Sequence, residues 1–446
     1  QVSWQNIFEG LTTVDSAGKV QPQLAESWEI SPDGKTYTFK LRQGVTFHNG
    51  VAFDSSVAKF TIDRARGADS VNPQKRYFAS IETVETPDAA TLVLKLKQPA
   101  GSLLYWLGWP ASVMVEPKSA ADNKTTPVGT GPFKFVSWQK GSKVDLAKNT
   151  DYWNKSVSVK LETAVFRFIA DPQAQAAALK AGDVDAFPEF GAPELVSSFE
   201  GDTKLTTVIG NTELKVVAGM NNSRKPFDDK KVRQALMMAV DRATVVEGAW
   251  SGYGTPIGSH YTPNDRGFKD LTGIYPFDAE KAKALLSEAG YPNGFSFTMK
   301  APQMAYAQRS SQILQAMFAE IGVTMNIETT EFPAKWVSDV LKAGDYDMTI
   351  VAHAEPMDID IYARDPYYFH YKNPAFNEIL AKVEATADPA EQDKLYGEAQ
   401  TILAEDVPAL FLFVMPKLGI WDAKLKGLWE NEPIPSNVLS EVYWQE

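Results

Sequence analysis

Leu24–Gly50 reads LAESWEISPDGKTYTFKLRQGVTFHNG, and its middle is a hairpin written in residue types. Trp28 and Ile30 lead into Ser31-Pro32-Asp33-Gly34, where Pro presets φ and Gly accepts a positive φ. Beyond the turn, Tyr37, Phe39 and Leu41 alternate with Thr36, Thr38, Lys40 and Arg42, the period of a strand with one buried face. Gln43-Gly44 interrupts the strand, Val45-Thr46-Phe47 is expected to resume it, and His48-Asn49-Gly50 ends it.

Outward from this hairpin the chain keeps both periods. On the N-terminal side, Trp4, Ile7, Phe8 and Leu11 are spaced for a short amphipathic helix over Val2–Leu11. On the other side, Asp54 is placed to cap a helix carrying Val57, Phe60, Ile62 and Ala65. A strand pair is expected in Ile81–Pro99, turning at Asp88-Ala89-Ala90, and another hairpin runs from Phe133 to Trp153. Asp171-Pro172 opens an Ala- and Gln-rich helix, and Val232–Arg242 has helical apolar spacing. From Asp278 onward helices (278–289, 308–321, 332–343) alternate with strands (295–300, 324–328, 346–352), followed by helices at 374–386 and 389–405. That rhythm implies a parallel or mixed sheet with helices on its faces, so the fold class is α/β. The apolar run Pro408–Pro416 reads as a buried strand.

The chain has 446 residues, too many for one core, which points to two or three lobes. Its formal net charge of -12 argues against nucleic acid or anionic membrane as the main partner, because both reward basic surfaces. Cys is absent, which removes disulfides, thiolate catalysis and Cys-based zinc sites. No run approaches the roughly eighteen apolar residues of a spanning helix.

The wording of Leu24–Gly50 closely resembles the signature region of the family 5 solute-binding proteins of ABC importers, the peptide- and nickel-binding receptors. Pro127–Trp153, with its Gly129-Thr130-Gly131-Pro132 turn, is similar to a second family segment, and Phe227–Gly254 to a third. The GTGP turn lacks the Gly-Lys-Ser/Thr ending of a phosphate loop and opens a strand, so it reads as structural. The resemblance implies a two-lobed periplasmic-binding-protein fold that closes by hinge motion on a small ligand between its lobes. It implies residues 1–258 as the first part of lobe I with a subdomain at about 31–160, residues 259–412 as lobe II, and 413–446 as the return to lobe I. It further implies an exported, periplasmic protein, monomeric, partnered by an inner-membrane ABC permease. The chain would then be a processed or trimmed form, since no signal peptide is visible. Short peptides or peptide-like amphoteric molecules are the first ligand class implied; opines, oligosaccharides and metal chelates stay open.

Catalytic signatures are missing. His48, His260, His353 and His370 form no paired zinc motif, and no G-x-S-x-G elbow occurs. The carboxylates are unmarked, so a hydrolase with acids in the cleft is a remote alternative, and no enzyme activity, cofactor or metal is expected. Ligand contacts are expected in the loop after the 346–352 strand, because ligands of open α/β sheets bind beyond the carboxyl ends of strands. There the resemblance puts an aromatic residue and then an acid near an Asp-Pro step. This chain departs from it: His353 stands about where the aromatic belongs, and Asp358-Ile359 replaces Asp-Pro. Glu355 or Asp358 would meet a cationic group and Arg364 a carboxylate, or Asp358 and Asp360 only brace the loop. Tyr362 is a further candidate, and His353 or His370 would serve a metal chelate. Asn6, Trp109 and Trp336 are the remaining candidates, each with core packing as the competing reading. Pro366–Tyr371 would be an aromatic wall or a seal on the lobe's edge.

Overall fold

The computed structural model of the protein describes residues 2–72, 74–386 and 388–446. Its fold is mixed α/β, and the chain divides into two compact units.

The first unit comprises residues 1–208, 384–388 and 418–446. Its opening hairpin forms as read: strands Ala25–Ile30 and Thr36–Leu41 pair antiparallel with Trp28 opposite Phe39. Strands Thr91–Leu96 and Ile81–Asp88 extend them into a four-stranded sheet. The alternation then decides the packing. Tyr37, Phe39, Leu41, Leu92, Leu94 and Leu96 all point into one core against helix Ser55–Arg66. Each such side chain contributes on the order of 2 kcal/mol by leaving water. Asp54 caps that helix, its carboxylate accepting from the backbone N–H of Ser56 and Val57. A three-stranded sheet, Phe133–Gln139, Lys143–Lys148 and Thr163–Arg167, completes the unit's main β structure.

Three local expectations change. Val2–Leu11 is a turn, not a helix: Gln5 has φ 62°, Trp4 and Phe8 form an isolated bridge, and a short strand follows at Thr12–Val14. The cause is long-range. Asn6 donates from Nδ2 to the carbonyl of Asn437 (2.7 Å) and accepts at Oδ1 from the N–H of Leu439 (3.0 Å). Val45-Thr46-Phe47 resumes pairing only as a single bridge, Thr46 with Ala52. The helix expected over 232–242 stops at Met238, because Asp241 caps a new helix, Arg242–Trp250.

The second unit comprises residues 209–383 and 389–417. The division between the compact units falls at 208/209, and Val232, Leu236, Val245 and Trp250 pack into the second unit's core with Met299, Leu314 and Ile350. A second division falls at 417/418, inside the strand Ala409–Asp422. The second unit's sheet is mixed, as expected. Ser296–Pro302 runs parallel to both Thr324–Thr330 and Met348–His353, and Met348–His353 is antiparallel to the strand Leu205–Met220. Helices Ala279–Glu288 and Ala305–Glu320 pack their apolar residues on this sheet.

Candidate ligand-binding site

The loop that leaves strand Met348–His353 is anchored from beneath by a cluster of buried polar groups, all within the second unit. Strand register builds its base. Lys215 lies directly opposite His353 in the antiparallel ladder, so their side chains share a face, and Glu213, two residues back, shares it too. The segment after Thr255–Pro256 adds His260, Thr262 and Asp265; the single turn Asp358–Tyr362 adds Asp358 and Tyr362.

Lys215 is completely buried. Its Nζ donates to the carbonyl of Glu355 (2.7 Å) and that of Glu213 (3.3 Å), and lies 3.1 Å from Asp358 Oδ1. His260 Nε2 is 2.9 Å from the same oxygen. A carboxylate only accepts, so Nε2 carries the proton and Nδ1 accepts from the Tyr362 hydroxyl at 3.2 Å. His353 Nδ1 stands 3.6 Å from Asp358 Oδ2, and its Nε2 pairs with the Tyr368 hydroxyl at 2.8 Å. Met357 has a left-handed backbone, φ 51°, held by its N–H bond to Asp265 Oδ1 (3.0 Å). Thr262 joins the two further acids, donating Oγ1–H to Glu213 and N–H to Asp265, both at 2.9 Å.

Burial and neighbours set the charges. Burial pushes the Asp358 carboxyl up, but the Lys215 ammonium and the His260 bond pull it well below the usual carboxylate range. Burial pulls Lys215 down, and Asp358, Asp265 and Glu213 together outweigh it, so the ammonium persists. Burial, then His260, lowers His353 to about 3, and burial lowers His260, so both imidazoles are neutral at pH 7. Glu213 is raised well above its ordinary value by burial and then by Asp265, and Asp265 is raised by burial.

Six of the sequence candidates lie in this unit. His353, Asp358 and Tyr362 belong to the cluster itself. Trp336 reaches it through Tyr368, whose ring centroid is 5.6 Å away, and donates its indole N–H to Thr349 Oγ1 (2.9 Å). Glu355 is tied through its backbone carbonyl to Lys215. Arg364 is gripped by Asp360 through Nε and Nη2 at 2.8–2.9 Å and lies over the Tyr367 ring. Asp358 is only 3% exposed, so its charge is engaged inside the protein. In the Pro366–Tyr371 stretch, Tyr368 and Phe369 are buried against Gly219, where a Cβ would come within 2.9 Å of both rings. Asn6 and Trp109 belong to the first unit. Asn6 is fully buried in its backbone bonds, and Trp109 packs edge-on against Trp4 at 5.2 Å.

Lys215, Glu213, His260 and Asp265 were not among the sequence candidates. Lys215 carried a readable signal, a lone cation in the apolar run Leu214–Met220. His260 and Asp265 carried none, since only the fold brings them to the loop.

The sequence model of the bacterial extracellular solute-binding proteins, family 5 Middle, matches residues 19–373. The chain belongs to that family. A glutathione-binding protein of Pectobacterium atrosepticum, GsiB, is 32% identical over 455 residues, covering 95% of this chain and 86% of the relative. Among solved structures, the Helicobacter pylori periplasmic binding protein DppA, in complex with the peptide STSA, superposes with a TM-score of 0.86 at 27% identity, over 99% of this chain and 93% of that one. The agropinic acid complex of AgaA from A. tumefaciens gives 0.83 at 28% identity, with the same coverage. A family 5 protein is a solute receptor, so the cluster under the 353–364 loop belongs to a binding protein, and the resemblance read in Leu24–Gly50 and Pro127–Trp153 holds along the chain.

Proposed function

We propose that the protein is the periplasmic, monomeric receptor of an ABC importer, that it binds a short peptide or peptide-like amphoteric molecule without turning it over, and that it delivers this ligand to an inner-membrane permease. The observation that carries this reading is the likeness to the glutathione-binding GsiB proteins over 95% of the chain. Glutathione is a peptide with one ammonium and two carboxylates, and the 353–364 loop carries both signs of charge, in Glu355 and Arg364. Glu355 is proposed as the partner of a ligand ammonium. Arg364 is proposed for a ligand carboxylate, in exchange for Asp360. His353, Trp336 and Tyr362 are proposed as its apolar and hydrogen-bonding surround, and Asn6 and Trp109 as framework residues. A second reading, an opine receptor, draws on the likeness to AgaA at 28% identity.

The test is isothermal titration of the purified chain with reduced glutathione, a dipeptide panel and agropinic acid, with the ligand recovered afterwards. One-to-one binding of glutathione or a dipeptide, recovered unchanged, supports the receptor reading. Binding of agropinic acid alone selects the opine reading, and hydrolysis of a bound peptide overturns both.

A further inference from the structure

His260, His353 and Asp358 are a metal-type ligand set. Their donor atoms all lie within 4.8 Å of one another, with His260 Nε2 at 2.9 Å and His353 Nδ1 at 3.6 Å from the Asp358 oxygens. Ligand atoms of a tetrahedral zinc stand roughly 3.3 Å apart, given bonds of about 2.0–2.1 Å. The far nitrogen of each imidazole faces a tyrosine hydroxyl, Tyr362 for His260 and Tyr368 for His353. Such outer partners fix ring orientation and tautomer in metal centres.

One group opposes an ion there. The Lys215 ammonium already sits 3.1 Å from Asp358 Oδ1, and two backbone carbonyls hold it with no exposed surface to which it can swing. We infer that Lys215 is a tethered cation standing in for a metal ion at His260, His353 and Asp358, and that it excludes free divalent metal from this receptor. A divalent ion bound to the same carboxylate would lie about 4 Å from a buried ammonium, where repulsion is barely screened. Without that ammonium, the site presents two imidazoles and a carboxylate that has lost its nearest full cation. His260 then moves its proton from Nε2 to Nδ1, where the Tyr362 oxygen accepts it, and Nε2 is open to a metal. The inference is independent of which organic solute the receptor takes.

The test uses the full chain in four forms: wild type, Lys215→Met, Lys215→Gln, and Lys215→Met combined with His260→Ala. Lys215→Gln keeps an N–H donor and removes the charge. Each is equilibrated with ZnCl2 or CoCl2, passed through gel filtration and assayed for retained metal. Wild type is expected to retain none. Both single variants are expected to retain about one ion per chain, with the visible absorption of tetrahedral cobalt, and the double variant to lose it. Their thermal midpoints should rise with zinc while that of wild type stays fixed. One equivalent of metal on the wild type, or folded single variants that retain none, would overturn the inference. So would single variants that stay unfolded with zinc present, since the ion should replace the missing charge.

Discussion

At the scale of single residues, two ion pairs on the same short loop should differ sharply in worth. Asp358→Asn leaves the Lys215 ammonium buried without its nearest anion, and urea unfolding should show a loss of about 3–5 kcal/mol. Arg364→Ala breaks a pair whose side chains are 23% and 50% exposed, and should cost under about 1 kcal/mol. In the first unit, Glu9 is a buried carboxyl that accepts from Gln23, Thr130, Tyr152 and Trp153. Burial outweighs those four bonds and raises its pKa above the ordinary glutamate value. A raised acid binds its proton more tightly when folded. Its contribution is therefore fully present below the unfolded value and fades as pH rises through the folded one. Wild type should lose stability relative to Glu9→Gln as pH climbs from about 4.5 toward neutrality, a slope read from urea midpoints across that range. The reach of the sequence follows from the same residues. Asp358 and His353 could be singled out because they sit in one loop after one strand. Lys215 and His260 sit 143 and 98 residues before Asp358 in the chain, so only strand register and a returning segment reveal them.

Among elements, the hairpins and capped helices were legible because neighbours in sequence decide them: Pro32-Asp33-Gly34 makes its turn and Asp54 caps its helix whatever lies elsewhere. The N-terminal segment was not legible. Its apolar spacing favours a helix, but Asn6 is claimed by backbone 431 residues away, and such tertiary demands override a weak local preference. The GTGP turn reads as structural, and its packing gives the reason. A Cβ on Gly129 would lie 1.9 Å from the carbonyl oxygen of Ile7, and one on Gly131 2.4 Å from that of Asn6. Both clashes are with backbone. Gly129→Ala and Gly131→Ala should each drive the chain into the insoluble fraction or lower its thermal midpoint markedly, whereas Asp54→Ala should cost only about 1 kcal/mol.

For the whole molecule, the formal net charge is -12, and among the described residues no helix is long and apolar enough to cross a membrane. A ligand that binds only the folded chain adds about 2.7 kcal/mol at a hundredfold excess over Kd. Calorimetry with glutathione should therefore raise the unfolding temperature by a few degrees; an unchanged midpoint at millimolar ligand would remove glutathione from the list. The Asn6 bonds bear on synthesis as well. Residues 6 and 7 rest against Gly129 and Gly131, and Asn6 is held by Asn437 and Leu439, 431 and 433 residues later in the chain. The first unit cannot close the edge around Asn6 until residues 437 and 439 have been synthesised. A nascent chain stalled before residue 437 would carry that edge open, in the state that chaperones hold and that proteases cut.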